Sequence, residues 1–347
     1  MIKRPLPSGS GALLVLVVLI GINLRPFLTA IGPLAGEIDA QLALGMDRLA
    51  WVTLLPLLLI GVGVLLTPAL IDKTGPRPLL GAALLLLMLG SALRLDLASG
   101  TLLIASAALC GLGSALVQGT LPGLIKRAFA GKVPLVMGIF SACMMGGGAL
   151  GAVLTPRVAV HLDWSRALAL WSLPVLLALV WLGWRVRLPA AAPHSPVSGE
   201  QRLIALPRAW LLIACFGIIN SGYGIVVAWL APAYLALGWS PQQGGELVAW
   251  LALAQTVSGL GLPLLAARKL DRRPWMGLAI VMQVAGFGGL WLAPEVAPIL
   301  WCLLCGAGLG GSFSLIMVIA LDHLPDPRRA GTLSALMQGF GFMLAAT

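Results

Sequence analysis

Eleven apolar runs dominate this chain, at about residues 11–35, 49–71, 79–98, 101–125, 134–157, 166–184, 209–236, 247–267, 275–293, 297–321 and 331–347. Each is long enough to cross a hydrocarbon layer ~30 Å thick as a helix rising ~1.5 Å per residue. Lipid offers no partner for open strand edges or irregular backbone, so helices are the only economical way through. The expected fold class is an all-α polytopic membrane protein. Composition agrees: of 347 residues, 59% are hydrophobic and 10% charged, where a soluble surface calls for roughly 25% charged. The basic lead before the first run is not followed by a small-residue cleavage site, so that run reads as a full span and not as a removed signal.

The net charge of +10 does not point to nucleic acid, because the basic residues are scattered through short loops and form no clustered face. With the N-terminus placed in the cytoplasm, 17 Lys and Arg fall on the cytoplasmic side. Only Arg48, Arg94, Arg157 and Arg166 fall outside, and Arg25 alone is left in the membrane. This bias fixes the expected orientation. The five cysteines lie within apolar runs without ligand or disulfide spacing, and read as small buried hydrophobes. His161, His194 and His323 sit in loops or at span ends. No metal site and no cofactor is expected. No nucleophile and base are paired within the spans, which argues against an enzyme.

The longest polar stretch, residues 185–208, contains Pro-Ala-Ala-Ala-Pro-His-Ser-Pro and reads as a cytoplasmic linker. It divides the chain into an N-terminal six-helix bundle at 1–184 and a C-terminal bundle at 209–347. The halves repeat weakly. Asn23 matches Asn220, Asp72 matches Asp271, and Cys110-Gly111 matches Cys305-Gly306, at offsets of 197, 199 and 195 residues. Two parallel six-helix repeats resemble the major facilitator architecture. That plan calls for a twelfth span, and the sequence ends at Thr347 inside the eleventh, so the twelfth helix is expected to be missing from this chain.

Arg25 lies about 14 residues into the first run, roughly 21 Å along a helix. A guanidinium at that depth costs at least ~2.5–3.5 kcal/mol, so it is expected to face a water-filled cavity or a partner. All twelve Asp and Glu residues lie in loops or near span ends, leaving it no central carboxylate. An uncompensated planar cation in a low dielectric attracts an anion, and its fork suits a flat one. The competing reading is structural, with Arg25 bonded to carbonyls unwound near Pro26. Thr29 shares a helix face with Arg25. Neutral polar residues elsewhere in the spans, among them Asn23, Gln118, Asn220 and Tyr223, are candidate hydrogen-bond partners. The glycine runs 146–148 and 306–311 read as close helix packing.

Asp72-Lys73-Thr74-Gly75-Pro76-Arg77 resembles the major facilitator signature of the loop between spans two and three, with Pro68 and Pro76 departing from it. An acid at a helix end beside basic residues can bridge to neighbouring helix ends and hold one conformation of a rocking transporter. Asp271-Arg272 repeats the pattern.

Asn23-Leu24-Arg25-Pro26-Phe27-Leu28-Thr29 followed by Gly32-Pro33-Leu34 resembles the first-helix signature of the cyanate/nitroimidazole porter family of major facilitators. Leu121-Pro122-Gly123-Leu124-Ile125-Lys126-Arg127 and Met145-Gly146-Gly147-Gly148 are similar to blocks of its fourth and fifth spans. Ala320-Leu321-Asp322-His323 and Met337-Gln338-Gly339 look more like the cyanate branch. The resemblance implies a multi-pass porter of the bacterial inner membrane, acting as a monomer. It would move a small anion by alternating access, with Arg25, Thr29, Asn23, Gln118, Asn220 and Tyr223 at the substrate. Asp72, Lys73, Gly75, Arg77, Asp271 and Arg272 would form the conformational loops. The alternative it implies is efflux of nitroimidazole-like or other drug-like solutes.

Overall fold

The computed structural model describes residues 10–95, 99–186, 188, 203–267 and 271–346. The basic lead, most of the 185–208 linker, Arg187, His194, Arg202, residues 268–270 and Thr347 lie outside the described residues.

Every regular element among the described residues is a helix. In order these are α1 (Ser10–Asn23), α2 (Pro26–Thr29), α3 (Ile31–Leu42), α4 (Gly45–Thr74), α5 (Pro76–Ala92), α6 (Gly100–Ala128), α7 (Val133–Leu162), α8 (Trp164–Ala169) and α9 (Ser172–Arg185). The second set is α10 (Pro207–Ala236), α11 (Pro241–Ala266), α12 (Arg273–Leu292), α13 (Pro298–Asp322) and α14 (Pro327–Ala345). Nine helices among the described residues are long and apolar enough to span a membrane, and α5 is a shorter apolar helix. Proline stands in the first turn of α2, α5, α7 and α10–α14, where its missing N–H costs no hydrogen bond. Ser240 and Gln243 close a capping box at the start of α11.

Three of the expected spans differ from their hydropathy, the sixth being interrupted at Leu170–Trp171 between α8 and α9. The first is not one helix. It breaks between α1 and α2, because Pro26 cannot donate to the preceding turn and its ring crowds that turn's carbonyl. The third stops at Ala92 instead of running to residue 98, since the chain turns at Leu93–Leu95 and carries Arg94 into the interior.

Helices α1–α9 pack among themselves, as do α10–α14. The two sets meet where α14 lies against α4 and α6, and where α7 lies against α11 and α13. Small residues allow these approaches: a Cβ on Gly339 would sit 3.0 Å from the Gly61 carbonyl, and one on Gly123 would sit 3.4 Å from the Cα of Gly331. Among the described residues, the cations of the loops α4–α5, α6–α7 and α11–α12 and the start of α14 all lie at one end of the bundle, the basic end.

Candidate functional site

The site is built on the break in the first helix. Two side chains of neighbouring segments bond to that break, and neither is Arg25. Ser114 Oγ of α6 donates to the Leu24 carbonyl at 3.4 Å. Arg94 Nη1 donates to the Phe27 carbonyl at 3.1 Å, and Arg94 Nε donates to Ser106 Oγ at 3.1 Å. The α7 glycines then press against the backbone itself. A Cβ on Gly147 would lie 2.1 Å from the Ile22 carbonyl oxygen, and one on Gly151 would lie 2.7 Å from Pro26 Cα. No side chain fits at either position. The structural role once open to Arg25, satisfying unwound carbonyls, belongs to Arg94. The sequence census placed Arg94 on the outer side, at the end of the third apolar run; the structure buries it to 1% exposure.

Arg25 is thereby left to turn inward. It is half-buried, and its guanidinium carbon lies 4.4 Å from the centroid of the Tyr223 ring on α10 and 6.0 Å from that of Phe313 on α13. Both rings come from the second set of helices, so Arg25 bridges the halves through cation–π contacts. Neither of the two ion pairs found among the described residues involves it. Thr29, one turn on, donates to the Gly148 carbonyl at 2.7 Å, which fixes its hydroxyl beside the Arg25 stem.

The other expected contacts are placed differently. Asn23 donates to its own Leu19 carbonyl at 2.7 Å, and Asn220 donates to its own Phe216 carbonyl at 2.9 Å. Both are buried, so the two repeat-related asparagines do the same local job in α1 and α10. The Asn23 amide oxygen has no partner. Gln118 reaches Ser114 Oγ at 3.5 Å, and its backbone carbonyl accepts from Gln338 of α14 at 3.2 Å. The structure thus brings Arg25, Thr29 and Tyr223 together, adds Phe313, and ties Asn23 and Asn220 to their own helices. Phe313 carried no signal beyond being aromatic in a lining span.

At the basic end, Gly75 sits at φ +84° between α4 and α5, a left-handed conformation that favours glycine. Arg77 donates to the Gly183 carbonyl at 3.0 Å, joining α5 to α9. Arg272 pairs with Asp322 at 2.6 Å, joining α12 to α13. Asp271 accepts from the Arg273 backbone N–H at 3.0 Å. Asp72 is in neither of the ion pairs among the described residues, and Lys73 is exposed. These loop contacts stay within one half. A further contact across the halves is made by Lys126 at the end of α6, whose ammonium donates to the Leu321 and Leu324 carbonyls at the end of α13.

The whole of this helical framework matches one family model, described as the Major Facilitator Superfamily, over residues 12–347. The chain belongs to the Major Facilitator Superfamily. It is 40% identical over 335 residues to the cyanate transport protein CynX of Escherichia coli strain K12, covering 96% of this chain and 87% of that one. It is 32% identical over 333 residues to the 2-nitroimidazole transporter of the same organism, covering 95% and 84%. Among solved structures, a proton:xylose symporter, XylE, bound to 6-bromo-6-deoxy-D-glucose superposes with a TM-score of 0.79 at 15% identity, covering 97% of this chain and 87% of that chain. At that identity the likeness shows the major facilitator fold alone. The protein is thus a multi-pass membrane transporter of this superfamily and not an enzyme, nearer to the cyanate relative than to the nitroimidazole one.

Proposed function

We propose that this protein is a secondary transporter of the bacterial inner membrane that moves a small, flat, monovalent anion of the cyanate type by alternating access. The supporting observation is the Arg25 guanidinium, held at a helix break between the halves, against neutral ring faces and in neither ion pair among the described residues. A planar fork with free N–H groups binds a flat anion through charge-assisted hydrogen bonds. The rings of Tyr223 and Phe313 would cover the anion's faces, and Thr29 would hold the Arg25 stem in place. Asn23, Gln118 and Asn220 shape the surrounding wall. The family relative named for cyanate transport supports the same class of substrate.

The N-terminus lies in the cytoplasm in this reading, so the basic end is cytoplasmic. The close approaches Gly123–Gly331 and Gln118–Gln338, with the Lys126 contact, then describe a transporter closed on its cytoplasmic side. Residues 1–184 and 209–347 would rock about the site, joined by the 185–208 linker, with a monomer sufficient for transport. The loop residues Asp72, Lys73, Gly75, Arg77, Asp271 and Arg272 would set the angles of the helix ends within each half.

The test is uptake of labelled cyanate, nitrate and 2-nitroimidazole by cells expressing the protein, Arg25→Ala or Arg25→Lys. Saturable cyanate uptake that collapses in Arg25→Ala and is impaired in Arg25→Lys is expected. Unchanged cyanate uptake in Arg25→Ala overturns the reading. Export of 2-nitroimidazole indifferent to Arg25 would favour the drug-efflux reading.

A further inference from the structure

Alternating access requires the site to pass through a state closed to both sides. In that state bulk water no longer solvates Arg25, and an ionised group in a dry interior is costly unless a counter-charge or hydrogen-bond acceptors stand beside it. Among the described residues, no counter-charge and no free acceptor stands beside it. All twelve Asp and Glu residues lie in loops or near span ends, and among the described residues no buried polar side chain is an Asp, Glu or His. The groups seen against the guanidinium are neutral rings, Tyr223 at 4.4 Å and Phe313 at 6.0 Å, while Thr29, beside the stem, has already given its hydroxyl to the Gly148 carbonyl. A ring face offsets only a small part of the lost hydration. Arg94 shows how a fixed guanidinium lowers that cost with neutral acceptors, although its Nη2 is buried without a partner. It is bonded to the Phe27 carbonyl and Ser106 within one half, and rocking of the halves leaves that environment unchanged. Arg25 faces rings from the opposite half and must leave one environment for another.

Resting on the anion-transport reading above, we propose that the protein is an obligate anion exchanger. The closed state forms readily only when a monovalent anion sits on Arg25 and brings the site to zero net charge. The empty carrier, with a bare cation, does not cross, so it returns loaded. One anion leaves for each that enters, and the outgoing anion belongs to the same small, flat, monovalent class because it meets the same cation and rings. No net charge moves, which frees inward transport from the opposing potential of an inside-negative membrane. No side chain has to carry a proton.

The test uses the purified protein in liposomes and labelled cyanate outside, in four arms. The lumen holds unlabelled cyanate, or gluconate, or gluconate with an inward proton gradient, or gluconate with an inside-positive potassium diffusion potential set by valinomycin. Uptake at least tenfold faster into cyanate-loaded vesicles than in the other three arms is the expected result. Equal initial rates in the loaded and gluconate arms overturn the exchange while leaving anion transport standing. Uptake in the proton-gradient arm matching the loaded arm overturns it in favour of proton coupling. Absence of saturable uptake in all four arms overturns the cyanate-class reading, and the exchange with it.

Discussion

Two of the arginines in the first half of this transporter, Arg25 and Arg94, lie at the break in the first helix, and neither of the ion pairs among the described residues includes them. Their environments divide the work of a charged side chain in a membrane protein. Arg94 is fully enclosed and bonded to a backbone carbonyl and a serine. Its Ser165 neighbour donates to the Arg94 carbonyl, so both its side chain and its backbone are engaged. Arg25 is half-buried and stacked on a ring from the other half. The first charge stabilises a bend, and the second is exposed by it. Burial by itself therefore does not mark the functional cation; what marks it is a lack of internal partners at a surface shared by both halves.

The largest expected effect is on the structural side of this pair. Arg94→Ala removes the donor to the Phe27 carbonyl and opens a cavity, costing about 3 kcal/mol of stability. A thermal melt in detergent should show a clear loss, whereas an unchanged melt with lost transport would break the distinction. Arg25→Ala should do the reverse: cyanate uptake falls about 100-fold, the scale of a lost charge-assisted contact set, with the melt little changed. Tyr223→Leu removes the nearer ring face, worth ~1–2 kcal/mol. The apparent KM for cyanate should rise about tenfold, while Tyr223→Phe, which keeps the ring, stays within about twofold. Thr29→Val is the mildest. It removes the bond to the Gly148 carbonyl at 2.7 Å, about 1 kcal/mol, and should lower uptake about fivefold through a looser Arg25 stem. An effect of Thr29→Val as large as that of Arg25→Ala would mean that Thr29 itself contacts the substrate.

Much of this was legible in the chain, for identifiable reasons. Span number and order follow from apolar run length, which lipid enforces directly. Arg25 stood out because a charge deep in such a run is costly, and Tyr223 stood out as one of the few polar side chains within a span. Arg94 was not legible. It sits between Leu93 and Leu95 close to Asp96, where hydropathy cannot tell a loop from a buried turn, and only the bend of the first helix gives it a carbonyl to hold. The same limit hid the division of the glycines. The run at 146–148 reads as packing, but that Gly147 must admit the Ile22 carbonyl follows from the break at Pro26. The loop signature was recognisable, yet its ion pairing in the structure falls on Arg272 and Asp322, residues 50 apart that no local pattern connects.

The contact of Lys126 with the Leu321 and Leu324 carbonyls has a genetic consequence. Its acceptors are main-chain oxygens, so no substitution in α13 can delete them and no charge swap can restore a lost partner. Compensation for a defect at Lys126 must come from moving the helix end. Second-site revertants of Lys126→Ala are therefore expected to cluster where backbone course is set, at His323–Pro325 or at the Gly123–Gly331 contact, and not at Asp322 or Asp326, the acidic residues that could be read as its mates.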